Sequence, residues 1–470
     1  MNAHRRQLIS LAHPVYLSLL ASVAAGIINT VWVSRLGGPA VAAVAVATNT
    51  ENVLLGIALV FASGTTVLVA HARGARDPAA VRSAVRGGWA LCALVTPIVT
   101  TAGFLLREPL ARLLLGGSGP ELRLTVDYFA ISLPGIAVFY VQQLVDGILK
   151  GTGDTRTPMR LALLANGLIL VCDPFLIHLY GVRGAAVSTV LCRVVALAVG
   201  LRALRRNALL RTEVAPAESV PAALRRTLTT GLPMSADFTV RQTGTLVLVA
   251  IVARLGVTEV AAYAIAYKVL YVATMAFYSV RQAAAIHTSH LRGEGRDARR
   301  EIGREAMLVS GTVGVGAAVL LLLTAPWIMA AFGAGPQVAH EGALFLRCVG
   351  PYLLLMACFI ALGGVFEGSG GAPALLRVTL LGTTIQLPLA YGLSGLGLPG
   401  VCLALALAMG VQCGVVAVLF RRVRRAGGGR GCFRAGRLSG EWRHVRPGGR
   451  ASRQWPNSVR LMGCWGCRCS

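Results

Sequence analysis

Apolar residues dominate twelve stretches of the chain, each about as long as a helix that crosses a bilayer, and polar residues collect between them. A hydrocarbon core of roughly 30 Å requires about 20 helical residues. The predicted spans are 13–34, 39–70, 86–106, 125–149, 158–180, 184–204, 228–253, 258–289, 305–331, 343–366, 374–393 and 398–420. The pattern therefore predicts an all-α polytopic membrane protein with twelve transmembrane helices.

The sequence repeats itself halfway along the chain. The phrases that begin at Pro14 and at Pro233 both end in Arg-Leu-Gly, and they lie 219 residues apart. Other motifs recur at nearly this separation: His71-Ala-Arg-Gly74 with His290-Leu-Arg-Gly293, Gly147–Gly153 with Gly364–Gly370, Pro134 with Pro351, and Gly181–Gly184 with Gly397–Gly400. The repeat predicts two six-helix lobes, the first lobe (residues 1–204) and the second lobe (227–425), joined by a cytoplasmic linker (205–226). Because six is even, both lobes enter the membrane in the same orientation, so a pseudo-two-fold axis along the membrane normal should relate them.

Composition and charge favour a membrane protein and argue against a nucleic-acid partner. Hydrophobic residues make up 55% of the chain, charged residues make up 14%, and the mean hydropathy is +0.67. The formal charge of +26 would suit a nucleic-acid-binding protein, but the basic residues concentrate in alternate loops, as the positive-inside rule requires. We therefore expect a multi-pass protein of the inner (cytoplasmic) membrane, with both termini cytoplasmic and the lipid bilayer as its surroundings.

Residues 426–470 differ from the rest of the chain. They are rich in Gly, Arg, Trp and Cys and show no periodicity, which predicts a disordered tail. The alternative is metal binding by the pair Cys464 and Cys467, but the tail contains no second pair of matching spacing. We therefore predict no metal site.

Ionisable residues inside the predicted spans are functional candidates, because charge is costly at membrane depth. In the first lobe, Glu51 lies in the second span and Asp173 in the fifth, with Asn166 two turns earlier on the same face. Glu51 is interpreted as a cation or proton site, with an interhelix hydrogen bond as the alternative. Asp173 either takes up a proton or Na⁺, or forms a buried pair with Arg193.

Four oxygen-bearing side chains of the first lobe fall at a similar depth, counted inward from the outer loops. They are Asn29, Glu51, Asp173 and Thr189. Oxygen ligands are what hard cations prefer. The sequence thus predicts a cation-binding site in this lobe, provided that these side chains converge.

The second lobe carries its own deep polar residues. Asp237 and Arg241 lie one turn apart in the seventh span, which favours a pair that neutralises itself. Gln242 and Lys268 are also deep. We assign these four residues to a substrate cleft.

Two further pairs, and several prolines, are interpreted as structural. Asp146 is expected to pair with Lys150, and Glu367 with Arg377. Prolines at or within the spans predict helix kinks: Pro14, Pro134, Pro233, Pro351 and Pro388. For Pro14 and Pro233 the alternative is that they simply begin helices.

Motifs that would indicate an enzyme do not occur in a suitable context. The chain contains no G-x-x-x-x-G-K-[ST] phosphate-binding loop, and no H-E-x-x-H or G-x-S-x-G motif in a sensible setting. The protein is therefore predicted to have no catalytic residues and no cofactor. Transport work would come from an ion gradient or from a partner.

Several motifs together resemble the multidrug and toxic compound extrusion (MATE) family. They are the Arg-Leu-Gly after the first span, H-A-R-G-A-R-D, G-I-L-K-G-T-G-D-T-R-T-P and G-V-R-G-A-A-V-S-T, and the likeness covers about residues 10–425. Arg241 in FTVRQTG resembles the DinF-like branch. The resemblance implies cation-coupled export by two six-helix lobes that form a V around a central cleft and rock between inward-open and outward-open states.

The resemblance also implies a cation site in the first lobe. DinF-like relatives carry an Asp in the first span, where this chain has Asn29. Asp173 and Thr189 match the fifth-span Asp and the sixth-span Thr, while Ile169 replaces the Asn one turn before that Asp. The site thus lacks one carboxylate, which we infer Glu51 to supply.

These observations predict a monomeric antiporter that exports small amphipathic, often cationic drugs or metabolites in exchange for H⁺ or Na⁺. The alternative is a flippase for lipid-linked precursors of the same architecture. A flippase would need a basic cleft to bind pyrophosphate, for which Lys268, Arg241 and Arg193 are the candidates.

Overall fold

A computed structural model describes residues 2–115, 119–207, 209, 215–333 and 335–427, with side chains as far as residue 421. The tail after 427, including Cys464 and Cys467, and linker residues 208 and 210–214 lie outside this part. The helices are α1 (Ala3–Ser34), α2 (Gly38–Gly74), α3 (Pro78–Leu105), α4 (Arg107–Leu115), α5 (Pro120–Gly151), α6 (Arg156–Arg206), α7 (Val220–Ala253), α8 (Val257–Gly293), α9 (Arg299–Ala331), α10 (Pro336–Cys348), α11 (Gly350–Gly368), α12 (Ala372–Leu393) and α13 (Gly397–Gly427). A short 3₁₀ turn, Ser394–Leu396, joins the last two helices.

Ten helical segments of the described chain are long and apolar enough to cross a membrane. Two of them, Arg156–Arg206 and Ala372–Arg421, contain 51 and 50 residues, about twice the length of one crossing. Each is interrupted once, at Gly181 and at Ser394–Gly397. The chain therefore makes the twelve crossings that the apolar pattern predicts.

The two interruptions are built in the same way. Gly181 and Gly397 both have left-handed backbone, with φ of 59° and 71°, a conformation that glycine adopts without strain. Three residues later, Gly184 and Gly400 lie so close to the carbonyl oxygens of Leu176 and Leu393 that a Cβ atom would sit 1.9 or 2.0 Å from them. The repeated Gly-x-x-Gly motif thus forms the same tight hairpin in each lobe.

Each lobe has its own hydrophobic core. In the first lobe the largest fully buried side chains are Phe61, Phe129 and Tyr140, and the Tyr140 hydroxyl donates to the Leu54 carbonyl at 2.9 Å. The second core contains Phe345 and Phe359. Residues 1–421 nevertheless form one compact unit, because the lobes are tied together at one end. The division of the lobes at 205–226 stays a prediction.

The start of each lobe packs on the other lobe. In α1, Leu8 and Ala12 join a buried cluster with Val280 of α8, and Arg5 pairs with Glu305 of α9 at 2.7 Å. In α7, the main chain around Thr227 packs directly on glycines of α2 and α3. Because α1 and α7 are equivalent elements of the two copies, the exchange is reciprocal.

The pseudo-two-fold relation is visible in individual contacts between α2 and α8. The His71 ring lies beside the Ser289 main chain, and the His290 ring lies beside the Ala70 main chain. His71 and His290 are 219 residues apart, and so are Ala70 and Ser289. A Cβ atom on Gly74 would lie 1.9 Å from the His290 oxygen, and one on Gly293 would lie 2.0 Å from the equivalent oxygen of His71. Such mutual exchange of partners is the signature of a two-fold axis.

Some expectations about helix boundaries are wrong. Helices α1 and α7 begin at Ala3 and Val220, so Pro14 and Pro233 lie inside helices and do not start them. The helix α4 was not predicted, and the tenth span is preceded by a separate helix, α10. Both extra helices connect spans, and they are too short to cross a bilayer.

Candidate functional site

Asp173 is a fully buried carboxylate in the middle of the first lobe. It lies in α6 immediately before Pro174, and its side chain is 0% exposed. The Asn29 amide of α1 donates to its Oδ2 at 2.8 Å. The structure therefore joins the two residues that sequence analysis placed at the same depth of the first and fifth spans.

Asp173 is incompletely satisfied among the described residues. Ser188, in the second half of α6, is the hydroxyl beside it and is also 0% exposed. Yet neither Ser188 Oγ nor Asp173 Oδ1 completes a hydrogen bond within the described chain. A buried polar atom without a partner costs roughly 1–3 kcal/mol. The two atoms are thus an incompletely hydrogen-bonded polar pair buried in the first lobe.

Two other predicted members of the cation site, Asn166 and Thr189, form hydrogen bonds with other partners. The Asn166 amide donates to Ser22 of α1 at 3.3 Å, and Thr189 donates to the Ala185 carbonyl of its own helix at 3.0 Å. The buried Tyr128 of α5 lies near Thr189. In the described structure, then, the carboxylate of Asp173 is bonded to Asn29 and not to Asn166 or Thr189.

Glu51 forms an ion pair across the first lobe. Arg193 Nη2 of α6 donates to Glu51 Oε2 of α2 at 3.2 Å. Arg193 also lies over the ring of Phe139, 4.9 Å from its centroid. The expected alternative for Asp173, a pair with Arg193, is therefore not formed. Arg193 pairs with Glu51 instead.

A four-charge network fills the centre of the second lobe. Asp237 of α7 accepts from Arg241 one turn along, as predicted, and also from Arg281 of α8 at 2.6 Å and from Thr379 of α12 at 2.5 Å. Arg281 in turn donates to Glu367 of α11 at 2.6 Å. The two acids and two arginines cancel in charge. Glu367 thus pairs with Arg281, and the expected pair with Arg377 is wrong.

The other two residues assigned to the cleft differ in exposure. Gln242 is half-buried on α7, and Lys268 is exposed on α8. Their place in a substrate cleft stays a prediction.

Asp146 and Lys150 lie beside a contact between the lobes, and the ion pair expected between them is not formed in the described structure, where Asp146 Oδ1 has no hydrogen-bonded partner. Both are half-buried on α5, and the Lys150 ammonium donates to Gln282 of α8 at 3.2 Å. The contact ties the first lobe to the second near the reciprocal histidine contacts.

Sequence reasoning missed Arg281 and Ser188. Arg281 is a charged residue within the predicted eighth span, so intramembrane charge was a signal that could have identified it. Ser188 gave no such signal, because a serine in an apolar helix commonly bonds its own backbone. Within the described residues, no cluster of three or more His, Cys, Asp or Glu side chains could hold a metal ion.

Comparisons with known proteins agree with this architecture. The family model described as MatE matches residues 14–175 and 233–392, one segment in each lobe. The "Probable multidrug resistance protein NorM" of Thermotoga maritima is 24% identical over 397 residues, which are 82% of this chain and 85% of the relative. The "DNA damage-inducible protein F" of Escherichia coli is 26% identical over 442 residues, covering 89% and 92% of the two chains.

The fold is also that of solved transporter structures. An outward-facing conformation of a multidrug resistance MATE family transporter superimposes with a TM-score of 0.83 at 22% identity, over 91% of this chain and 97% of the other. At this level of identity the superposition establishes the shared architecture.

Proposed function

Because the chain belongs to the MatE family, whose members are membrane transporters and not enzymes, we propose that it is an antiporter that exports small amphipathic, often cationic compounds in exchange for an ion. The named relatives include a probable multidrug resistance protein, which supports a drug-like substrate. We further propose the cytoplasmic membrane of a bacterium as its location, with both termini cytoplasmic and a single chain as the working unit.

The observation that carries the coupling proposal is the environment of Asp173. A carboxylate that is 0% exposed and has one hydrogen-bonded partner is poorly stabilised when ionised. Binding a proton removes the charge and lets the carboxyl donate to Ser188. Proton binding therefore favours the arrangement that buries Asp173.

Protons suit this site better than Na⁺. A hard metal cation is stabilised by a shell of several oxygen ligands. Here the nearest second carboxylate of the predicted set, Glu51, is paired with Arg193, and Asn29 presents its amide N–H to Asp173. We propose H⁺ as the coupling ion, with Na⁺ as the alternative that the experiment distinguishes.

Coupling requires that proton and substrate favour opposite states. The conformation described here is closed where α2 meets α8, at the end of the lobes that the loop charges predict to be cytoplasmic. A proton that enters from outside would stabilise this conformation, and a substrate that enters from the cytoplasm must stabilise its opposite. Each ligand then lowers the affinity for the other by the same factor.

The test is export of a cationic dye such as ethidium from proteoliposomes, driven by a pH gradient alone or by a Na⁺ gradient alone. We expect export under the pH gradient and its loss in Asp173→Asn. Asp127→Asn is the matched control, since Asp127 is a carboxylate of the same lobe paired with Arg183 near the surface, with side chains 37% and 63% exposed. Export by Asp173→Asn at the wild-type rate would contradict the proposal, and export under the Na⁺ gradient alone would replace H⁺ by Na⁺.

The flippase alternative is less well supported by the charges. Arg193 and Arg241 are each paired with a carboxylate, Glu51 and Asp237, which leaves Lys268 as the exposed member of the proposed basic set. A cleft for pyrophosphate needs uncompensated positive charge. Binding of a polyprenyl pyrophosphate in preference to ethidium would favour the flippase.

A further inference from the structure

The ion pair of Glu51 and Arg193 is looser than the network of the second lobe. It rests on one contact of 3.2 Å, whereas Arg281 bonds to each of its two acids at 2.6 Å. Its side chains are 18% and 22% exposed, against 7% for Arg281. A pair with one long contact and partial exposure is readily exchanged.

The pair lies just beyond the region where the lobes touch. The contacts of α2 with the second lobe described here begin at Gly56, whose carbonyl accepts from Ser235 at 2.6 Å, and continue to Gly74. Glu51 is about 1.4 turns before Gly56, or about 7.5 Å along the helix axis. Charged groups that keep exposed surface at this depth require water and not hydrocarbon around them. The pair therefore fits the floor of the cleft between the lobes.

Arg193 has a second partner in place. Its guanidinium lies 4.9 Å from the centroid of the Phe139 ring, within the range of a cation–π contact. If another cation took its place at Glu51, Arg193 would still be stabilised by the ring. The exchange would leave Glu51 paired throughout, so no unpaired buried charge would arise.

We propose that Glu51 is the subsite for the cationic group of the transported compound, and that Arg193 occupies this subsite until the compound arrives. The inference rests on the proposed function and specifies the substrate as an amphipathic molecule with one positive charge near an apolar body. In this arrangement Arg193 is a specificity-determining residue, because a substrate must compete with it and a neutral molecule gains nothing from doing so.

The two members of the pair make opposite predictions. Binding of ethidium and of a neutral dye of similar size, Nile red, is measured by fluorescence on the purified full-length protein at fixed pH without a gradient. Arg193→Gln leaves Glu51 free, so ethidium should bind about fivefold to tenfold more tightly. Glu51→Gln removes the acceptor, so ethidium should bind about tenfold more weakly. Nile red should bind equally to both variants.

The matched control is Arg183→Gln, which breaks an ion pair between α5 and α6 away from the proposed subsite and should leave both dyes unaffected. Weaker binding of both dyes in both variants would mean that the pair is structural and would overturn the inference. So would an unchanged affinity for ethidium in both variants. Failure of the proposed function is distinguished by wild-type protein that exports ethidium under neither gradient, whatever its affinity.

Discussion

At the scale of single residues, the main feature of the first lobe is the hydrogen bonding of one buried carboxylate. Asp173 has Asn29 on one oxygen at 2.8 Å, and its other oxygen has no described partner. An amide cannot take up a proton, whereas a second acid at this distance would share one. Under the proposed proton coupling, the residue at position 29 therefore sets how tightly Asp173 holds its proton.

Replacing Asn29 by Asp should move the pH dependence of export in the alkaline direction. Two carboxylates within hydrogen-bonding distance cannot both be ionised without strong repulsion, so the pair holds one proton to higher pH. We expect the pH of half-maximal dye export to rise by about one unit or more. The measurement is the initial rate of export across a pH series in proteoliposomes.

The control for this prediction is Asn166→Asp. It adds the same charge to the same lobe, but at a side chain that bonds to Ser22 and not to Asp173. Its pH profile should stay close to that of the wild type. An Asn29→Asp protein with an unchanged profile would show that the proton is held elsewhere.

The depth of these residues could be predicted, but their partners could not. Hydropathy placed Glu51, Asp173 and Asn29 inside spans, because position along a helix gives depth. It offered Arg193 only as a partner for Asp173, whereas the structure pairs Arg193 with Glu51, because the two acids differ in direction around the bundle. Direction depends on how α2, α5 and α6 pack, and a single sequence carries little of that information.

At the scale of elements, the second lobe is held together by charge as well as by apolar contact. The network of Arg241, Asp237, Arg281 and Glu367 connects α7, α8 and α11, and Thr379 adds α12. Sequence analysis found the i,i+4 part of this network, which lies within one helix. The part between helices was missed, because partners 44 and 86 residues apart leave no local pattern.

Replacing Arg281 by Met should destabilise the protein by about 3–5 kcal/mol, since Glu367 would remain buried without its cation. The double variant Arg281→Met with Glu367→Gln removes both charges and should recover part of the loss, because Asp237 keeps Arg241 and Thr379. The thermal midpoint of the detergent-solubilised protein measures both effects. Equal midpoints for the single and double variants would indicate that Arg281 acts mainly by packing.

At the scale of the whole molecule, the repeated sequence predicted the symmetry, and the structure shows where the symmetry acts. Duplicated motifs at a separation of 219 residues indicated two equivalent lobes. They could not indicate that the His71 and His290 rings would each lie beside the main chain of the other lobe, or that glycines would bring α2 and α8 into backbone contact. Packing between the two lobes depends on both surfaces together, whereas the repeated sequence describes the surface of each lobe separately.

The closed end of the molecule must open if the lobes rock, so a covalent bond across it should stop transport. Ser289 Oγ of α8 donates to the Val67 carbonyl of α2 at 2.7 Å, which makes Val67→Cys with Ser289→Cys a suitable pair in a background whose native cysteines are replaced. Oxidation should reduce dye export to near the background rate, and a reductant should restore it, because the disulfide holds together helices that must separate.

The matched control is Thr152→Cys with Asn207→Cys, whose side chains are 3.2 Å apart at α5 and α6. Thr152 and Asn207 directly follow the helices α5 and α6, which should move together, so oxidation should leave export unchanged. Full export by the oxidised α2–α8 variant would mean that this contact persists throughout the cycle and that access alternates by another movement.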